Sequence, residues 1–183
     1  PIMSIRNGRA NEVIGAAYEY DNIDTVFFTD IEDEYFAKVV QSLTNAFPNA
    51  SVNINSATLD NSKIVLSVSS ANHPREFYLF DAEKRALSLI IKSKPWLDKE
   101  EIPQTEIISY KTRDGLTIKA LLTLPKGQKA EDLPLILLPH GGPHGPRDSL
   151  TALNPDAKVL AEHGYAVLQP NFRGSGGYGR EFL

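Results

Sequence analysis

The sequence predicts a mixed β and α/β fold: an antiparallel β-meander with one inserted helix, then an α/β unit on a mixed sheet. Three observations predict it. Over residues 1–94, the first unit, short apolar segments recur about every ten residues between polar turns, as in a β-sandwich or propeller blade. Residues 95–104 combine two prolines with mixed charges, which is typical of a linker. Residues 105–183, the second unit, change to a hairpin followed by apolar runs around a helix.

The strands of the first unit are bounded by turn-forming residues such as DNID, LDNS and AEKR. Strands are predicted over residues 12–20, 25–29, 63–70, 75–81 and 86–93. One helix is predicted over residues 31–47, because its apolar residues recur with helical spacing, acids crowd its first turn and Pro48 follows it. In the linker, Trp96 is predicted to pack against the fold rather than to stack on a ligand.

The second unit opens with a hairpin. Asp114 and Gly115 lie between two apolar strands, and both central residues of such a turn favour positive φ. The run LPLILLPH then predicts a strand that is buried on both faces. A helix follows, with Asn154 as N-cap, Pro155 in its first turn and Gly164 after its end. The segment YAVLQP predicts another buried strand.

Composition excludes several classes of protein. The net charge of −4 gives no basic face for nucleic acid. The absence of cysteine excludes disulfide scaffolds and cysteine-based metal sites. No apolar stretch approaches the roughly 20 residues of a membrane span, and no signal peptide is visible at the start, which leaves a cytoplasmic or a periplasmic location open.

The stretch PHGGPHGP, residues 139–146, follows the predicted buried strand, and catalytic loops of open α/β sheets lie at the carboxyl ends of strands. In the α/β-hydrolase architecture the loop after the third strand supplies one N–H of the oxyanion hole. Glycine lets the backbone approach a reacting oxygen closely, so Gly142 is the candidate donor. The local pattern is equally compatible with a plain turn that carries solvated histidines.

The wider sequence resembles a known family. LPLILLPHGGPHGPRD and NFRGSGGYGREF resemble the start of the peptidase domain of the prolyl oligopeptidase family (S9), especially its acylaminoacyl-peptidase-like branch. ISYKTRDGLTIKALLTLPKG resembles the first hairpin of that domain, and FYLFDAEKRALSLI resembles the last propeller blade. The resemblance implies C-terminal β-propeller blades over residues 1–94 and the N-terminal part of an α/β-hydrolase domain over residues 105–183. We therefore expect both ends of the chain to lie within a longer protein.

The same resemblance implies a serine peptidase that hydrolyses oligopeptides or acylated peptides through an acyl-enzyme. Sister branches place a tyrosine of the oxyanion hole at the position of His140, so this role divides between the Gly142 N–H, which we favour, and the His140 side chain. The Ser-Asp-His triad is expected after residue 183. No G-x-S-x-G motif occurs, since Arg173 lies two positions before Ser175. The chain alone is therefore predicted to be inactive.

Other motifs predict no cofactor and no metal. The GSGGYG run matches a dinucleotide-binding pattern, and the strand YAVLQP precedes it. Residues 170–173 intervene between the two, however, and the sequence shows no helix that opens on the run and no acid about 20 residues later. His144 is predicted to be solvated, and His163 is predicted to cap a helix.

Two alternatives remain at this point: an esterase or lipase fragment of the same fold, and a non-catalytic interaction module built on propeller strands. The strand-rich first unit and the NFRGSGGYG run favour the peptidase. The predicted partners are a peptide substrate for the parent protein and a second copy of the chain. Self-association is expected because the strand over residues 165–169 is predicted to expose an unpaired, apolar sheet edge.

Overall fold

Antiparallel pairing dominates the first unit because its short strands follow one another through tight polar turns. The computed structural model describes residues 2–6, 12–20, 22–142 and 144–183. A three-stranded antiparallel sheet comes first, with its strands in sequence order. It consists of β1 (Ile2–Arg6), β2 (Val13–Glu19) and β3 (Ile23–Phe27).

A four-stranded antiparallel meander follows, again in sequence order. It consists of β4 (Ser51–Ala57), β5 (Lys63–Ser70), β6 (His73–Asp81) and β7 (Ala86–Lys92). The meander was predicted, but β1 and β4 were not. Strand β4 reads SVNINSA, and its asparagines are depleted in strands in general, so pairing with β5 rather than local propensity holds it in place.

The helix α1 (Glu34–Asn45) covers this meander and is shorter than predicted. Its N-cap is Asp33, whose carboxylate accepts a hydrogen bond from the Phe36 N–H at 2.9 Å. Its buried face joins the β5 side chains in one core. That core contains Ile14, Phe36, Ala37, Val40, Leu43, Ala50, Ile64, Leu66 and Val68.

The second unit contains a mixed four-stranded sheet in the order β10-β11-β9-β8. Its strands are β8 (Gln104–Lys111), β9 (Thr117–Leu124), β10 (Leu135–Leu137) and β11 (Ala166–Asn171). β10 and β11 are parallel and the other pairs are antiparallel. Helix α2 (Pro155–Glu162) lies in the connection between the parallel strands, as such a connection requires. The predicted hairpin, helix and mixed sheet are confirmed.

The ends of α2 agree with the sequence. The Asn154 side chain accepts hydrogen bonds from two amides of the first turn, and Pro155 is the first helical residue. His163 is the C-cap residue, and its Nδ1 lies 2.8 Å from the carbonyl oxygen of Val159. Gly164 follows with a φ of 91°. Both predicted caps are confirmed.

The predicted burial of the strand in YAVLQP is confirmed by β11, whereas the predicted burial of the strand in LPLILLPH is wrong. Leu135 and Leu137 are each 60% exposed, because β10 is an edge strand whose outer face no described element covers.

The strand over residues 165–169 was predicted to form a free sheet edge, and this prediction is wrong. β11 pairs with β10 on one side and with β9 on the other, since the helical connection returns the chain between them. Self-association stays a prediction, but β11 does not supply a free edge for it.

The hairpin turn also differs from the prediction. Gly115 has a φ of 87°, whereas Asp114 is not among the residues with positive φ. The Gly115 N–H donates to the Thr112 carbonyl at 3.0 Å and the Thr112 N–H donates to the Leu116 carbonyl at 2.9 Å. These bonds define a type I turn followed by a bulge, which needs only one left-handed residue.

The linker packs through residues other than the one predicted. Trp96 is 74% exposed, so its predicted packing role is wrong. Ile102 and Pro103 are buried instead and lie directly before β8. The apolar end of the linker therefore lies against the fold, whereas the tryptophan lies at the surface.

The buried lysine Lys158 of α2 links the two units. Its Nζ donates to the Asn72 side chain at 3.0 Å, to the Pro103 carbonyl at 2.6 Å and to the Thr105 hydroxyl at 2.6 Å. All three acceptors are neutral. Burial therefore lowers the pKa of Lys158 from 10.5 to about 8.

This shift predicts how stability depends on pH. The unfolded chain holds the Lys158 proton more tightly than the folded chain, so raising the pH from 7.5 to 10 should increase the contribution of Lys158 to the free energy of unfolding by about 2 kcal/mol. We expect urea unfolding to show this rise as the difference between the wild type and Lys158→Met. The subtraction removes the other groups that titrate in this range. A difference that stays constant with pH would contradict the shift.

Candidate active-site loop

The glycine-rich loop, residues 139–150, begins where β10 ends. The Leu138 N–H still donates to the Leu168 carbonyl of β11 at 2.8 Å, so the loop leaves the sheet at the carboxyl end of its parallel pair. Gly141 and Gly142 are exposed. Pro143, inside the predicted stretch, lies outside the described residues. The two glycines are thus accessible at the end of the sheet where α/β proteins place their sites.

His140 is held on three sides. Its ring stacks on Phe172, with ring centroids 4.4 Å apart and an interplanar angle of 18°. Its Nδ1 lies 2.7 Å from the Gly141 carbonyl oxygen, which can only accept, so Nδ1 carries a proton. Its Nε2 lies 2.8 Å from the Ser175 hydroxyl, which donates to it when the ring is neutral. Both ring nitrogens therefore have partners within the fold.

The contact between Ser175 and His140 has the spacing of a nucleophile and its base, yet Ser175 does not suit that role. Its exposed fraction is 0%, so a substrate carbonyl cannot reach the hydroxyl. Arg173, not glycine, occupies the position two residues before it. The hydroxyl instead fixes the orientation of the His140 ring.

The GSGGYG segment joins the glycine-rich loop through backbone contacts. The Gly145 N–H donates to the Gly174 carbonyl at 2.9 Å, and the Gly176 N–H donates to the Gly145 carbonyl at 3.2 Å. A Cβ on Gly176 would lie 2.5 Å from the Gly145 carbonyl oxygen, closer than any side chain allows. Glycine is required at position 176 for a backbone contact within the protein. This contact explains the glycine of the motif without a bound dinucleotide.

Asp148 and Asn171 form a second connection, which the sequence analysis did not identify. The Asp148 N–H donates to the Asn171 side-chain oxygen at 2.8 Å, and the Asn171 amide donates to the Asp148 carbonyl at 3.0 Å. Burial raises the pKa of the Asp148 carboxyl, although the nearby His140 and Gln169 oppose the rise. The polar residues Gln169 and Asn171 at the end of an otherwise apolar strand were the available signal.

Several backbone N–H groups of the loop, including three at and beside its exposed glycines, have no acceptor among the described residues. The amides of Gly141, Gly142 and His144 donate to none of the residues that the structure describes. At Gly142 an added Cβ would lie 3.8 Å from the Phe172 ring and 3.9 Å from the His144 nitrogen, so the position is open. Unpaired amides beside an accessible surface can donate to an anionic oxygen.

No group of three or more His, Asp or Glu side chains suited to a metal occurs within the described part of the chain. Nor does that part contain a helix long and apolar enough to cross a bilayer.

Several curated relatives match most of this chain. Dipeptidyl aminopeptidase BIII of Pseudoxanthomonas mexicana is 34% identical over 138 residues, which cover 72% of this chain and 20% of that protein. Dipeptidyl peptidase family member 6 of Caenorhabditis elegans is 31% identical over 171 residues, which cover 82% of this chain and 23% of that protein. The chain thus spans about a fifth of the length of these relatives.

Solved structures match the fold. The acylaminoacyl peptidase of Pyrococcus horikoshii matches 92% of this chain and 25% of its own chain, with a TM-score of 0.57 and 19% identity. No protein-family model matches the chain. The predicted mixed β and α/β fold class is confirmed, with sheets that stay open in the described residues.

The close contact at Gly176 can be tested. Gly176→Ala should lower the free energy of unfolding by about 1–3 kcal/mol, because the added Cβ must push the Gly145 backbone away. Gly141→Ala is the matched control, since nothing lies within 4 Å of its Cβ position, and it should change the value by less than about 0.5 kcal/mol. Denaturant unfolding of both variants measures the difference. Equal effects would mean that the contact does not constrain the loop.

Proposed function

Because the chain belongs to the prolyl oligopeptidase family of peptidases (S9), we propose that it supplies the oxyanion loop of a serine peptidase. The parent protein would hydrolyse peptide bonds of oligopeptides or acylated peptides through an acyl-enzyme. In this proposal residues 1–94 are the C-terminal blades of its propeller, residues 95–104 are the linker and residues 105–183 begin its α/β-hydrolase domain. The names of the relatives, which describe dipeptidyl and acylaminoacyl peptidases, support such substrates.

The observation that supports this proposal most is the accessible, unpaired N–H of Gly142 on a loop that is otherwise held firmly. When a nucleophile attacks a peptide carbonyl, negative charge develops on the carbonyl oxygen. A fixed N–H directed at this oxygen stabilises the charge without any reorganisation during the reaction. The triad and the remaining part of the oxyanion hole would come from other parts of the parent protein.

We assign His140 a positioning role rather than the donor role. Its Nδ1 already faces the Gly141 carbonyl and its Nε2 already faces the Ser175 hydroxyl. Donation to a substrate oxygen would break one of these bonds. The ring instead stacks on Phe172 and supports the backbone that leads to Gly142.

The 183-residue chain itself should not react with a serine-directed fluorophosphonate. It contains no G-x-S-x-G motif, and Ser175, the serine bonded to a histidine, is fully buried. Mass spectrometry of the treated chain should show the unmodified mass, while an active serine peptidase treated in parallel is labelled. Stoichiometric labelling of a single serine would contradict the absence of a nucleophile.

In the parent protein, Gly142→Pro should lower kcat by a factor of about 100 or more, with a smaller change in KM, because the N–H contact strengthens in the transition state. Gly142→Ala is the matched variant: it keeps the N–H, and its Cβ meets only ordinary contacts. It should lose less than about tenfold in kcat. Peptidase kinetics on both variants give the comparison. Equal losses of kcat in the two variants would show that the Gly142 N–H does not contribute to catalysis.

A further inference from the structure

The C-terminal part of the glycine-rich loop, residues 147–150, contacts the first unit. Glu19, the last residue of β2, is buried. Its carboxylate accepts hydrogen bonds from the Ser149 hydroxyl at 2.6 Å and from the Leu150 N–H at 2.8 Å. It also forms an ion pair with Arg147, with Nη2 at 3.3 Å from Oε1. One carboxylate of the first unit therefore contacts three residues of the loop.

Arg147 has an unusual environment for a guanidinium group. Its side chain is 7% exposed, and its Cζ lies 4.5 Å from the centroid of the Tyr178 ring. Neither Nη1 nor Nη2 has a hydrogen-bond partner among the described residues. The nearby charge of Glu19 is thus what compensates the buried guanidinium.

Two more contacts join the same segment to the meander of the first unit. The Ala71 N–H donates to the Leu150 carbonyl at 2.6 Å, and the Ser69 hydroxyl donates to the Thr151 carbonyl at 2.9 Å. Ser69 lies near the end of β5, and Ala71 lies in the turn between β5 and β6. The loop is therefore held at His140 and Gly145 by its own unit. At Arg147, Ser149 and Leu150 it is held by the first unit.

We propose that Glu19 is a positioning residue through which the first unit sets the geometry of the glycine-rich loop and its amide donors. Glu19 touches no substrate; it acts through Arg147, Ser149 and Leu150. The catalytic consequence of this role rests on the proposed function, whereas the effect on the loop itself does not.

The physical reason is that the charges at this junction are buried. Glu19→Gln keeps the size and shape of the side chain but removes the negative charge that faces Arg147. The guanidinium is then buried without a counter-charge, which favours states in which the loop end separates from β2. A displacement of about 1 Å in a group that aligns a reaction can cost up to a factor of about 100 in rate.

Glu76 offers a matched control. It is also a buried carboxylate of the first unit, and it contacts His73, Tyr78 and Lys92. These partners all lie in β6 and β7 of the four-stranded meander, and none of the contacts described for Glu76 involves the loop. Glu76→Gln therefore removes a comparable buried charge without touching the second unit.

Hydrogen–deuterium exchange on the 183-residue chain tests the positioning role without any assay of activity. Glu19→Gln should speed the exchange of the hydrogen-bonded amides of Asp148, Leu150 and Thr151 by about tenfold or more relative to Glu76→Gln. If Glu19→Gln unfolds the chain, Ser149→Ala removes one of the same bonds and should speed exchange over residues 147–151. Exchange of these amides at the rate of the Glu76→Gln control would overturn the proposal.

Kinetics on the parent protein test the catalytic consequence. Glu19→Gln should lower kcat about tenfold while KM changes less than about threefold, and Glu76→Gln should leave both close to wild type. The double variant Glu19→Gln with Arg147→Met should be no slower than the slower single variant, because the two residues act as one unit. Additive losses would overturn a role through Arg147. Faster loop exchange in a parent protein that cleaves no peptide would leave the positioning role standing and reject the proposed function.

Discussion

The contact between Gly145 and Gly176 is the constraint on which the geometry of the candidate site depends. A Cβ at Gly176 would lie 2.5 Å from the Gly145 carbonyl, so two backbones meet with no room for a side chain. This contact brings Ser175 under the loop, where its hydroxyl is buried and reaches His140. The orientation of the His140 ring then follows from that bond and from stacking on Phe172. Glycines that resemble a cofactor motif in the sequence thus serve backbone packing.

The junction between the two units uses two buried charges in different ways. The Lys158 ammonium has only neutral acceptors, and burial consequently lowers its pKa. The Glu19 carboxylate has the Arg147 guanidinium and two neutral donors. Buried charges of either kind cost desolvation and require well-placed partners. The units are therefore connected by specific polar contacts in addition to the linker.

The sequence predicted several features that depend on local chemistry. The caps of α2 and the bounds of β5 follow from residues next to them, and the structure has them at Asn154, His163 and Lys63–Ser70. The exposure of β10 could not be predicted, because it depends on which strand becomes the edge of the sheet. The residues that contact the glycine-rich loop could not be predicted for the same reason. Asp148 and Asn171 are 23 positions apart, and Glu19 and Ser149 are 130 positions apart, so no local pattern reports either contact.

In the proposed function the loop offers unpaired amides to a reacting oxygen, and other contacts must hold these amides in position. Amides without partners give a segment little internal stability, yet a donor is effective only if its position is fixed before the charge develops. The loop keeps the amides of Gly141 and Gly142 unpaired and is held on both sides of them. His140 precedes them, with both ring nitrogens bonded. After them, the Gly145 carbonyl accepts a hydrogen bond from the Gly176 N–H, and the Leu150 N–H donates to Glu19. The neighbouring residues thus fix the position of these two amides, and the N–H groups themselves stay free of hydrogen bonds within the described residues.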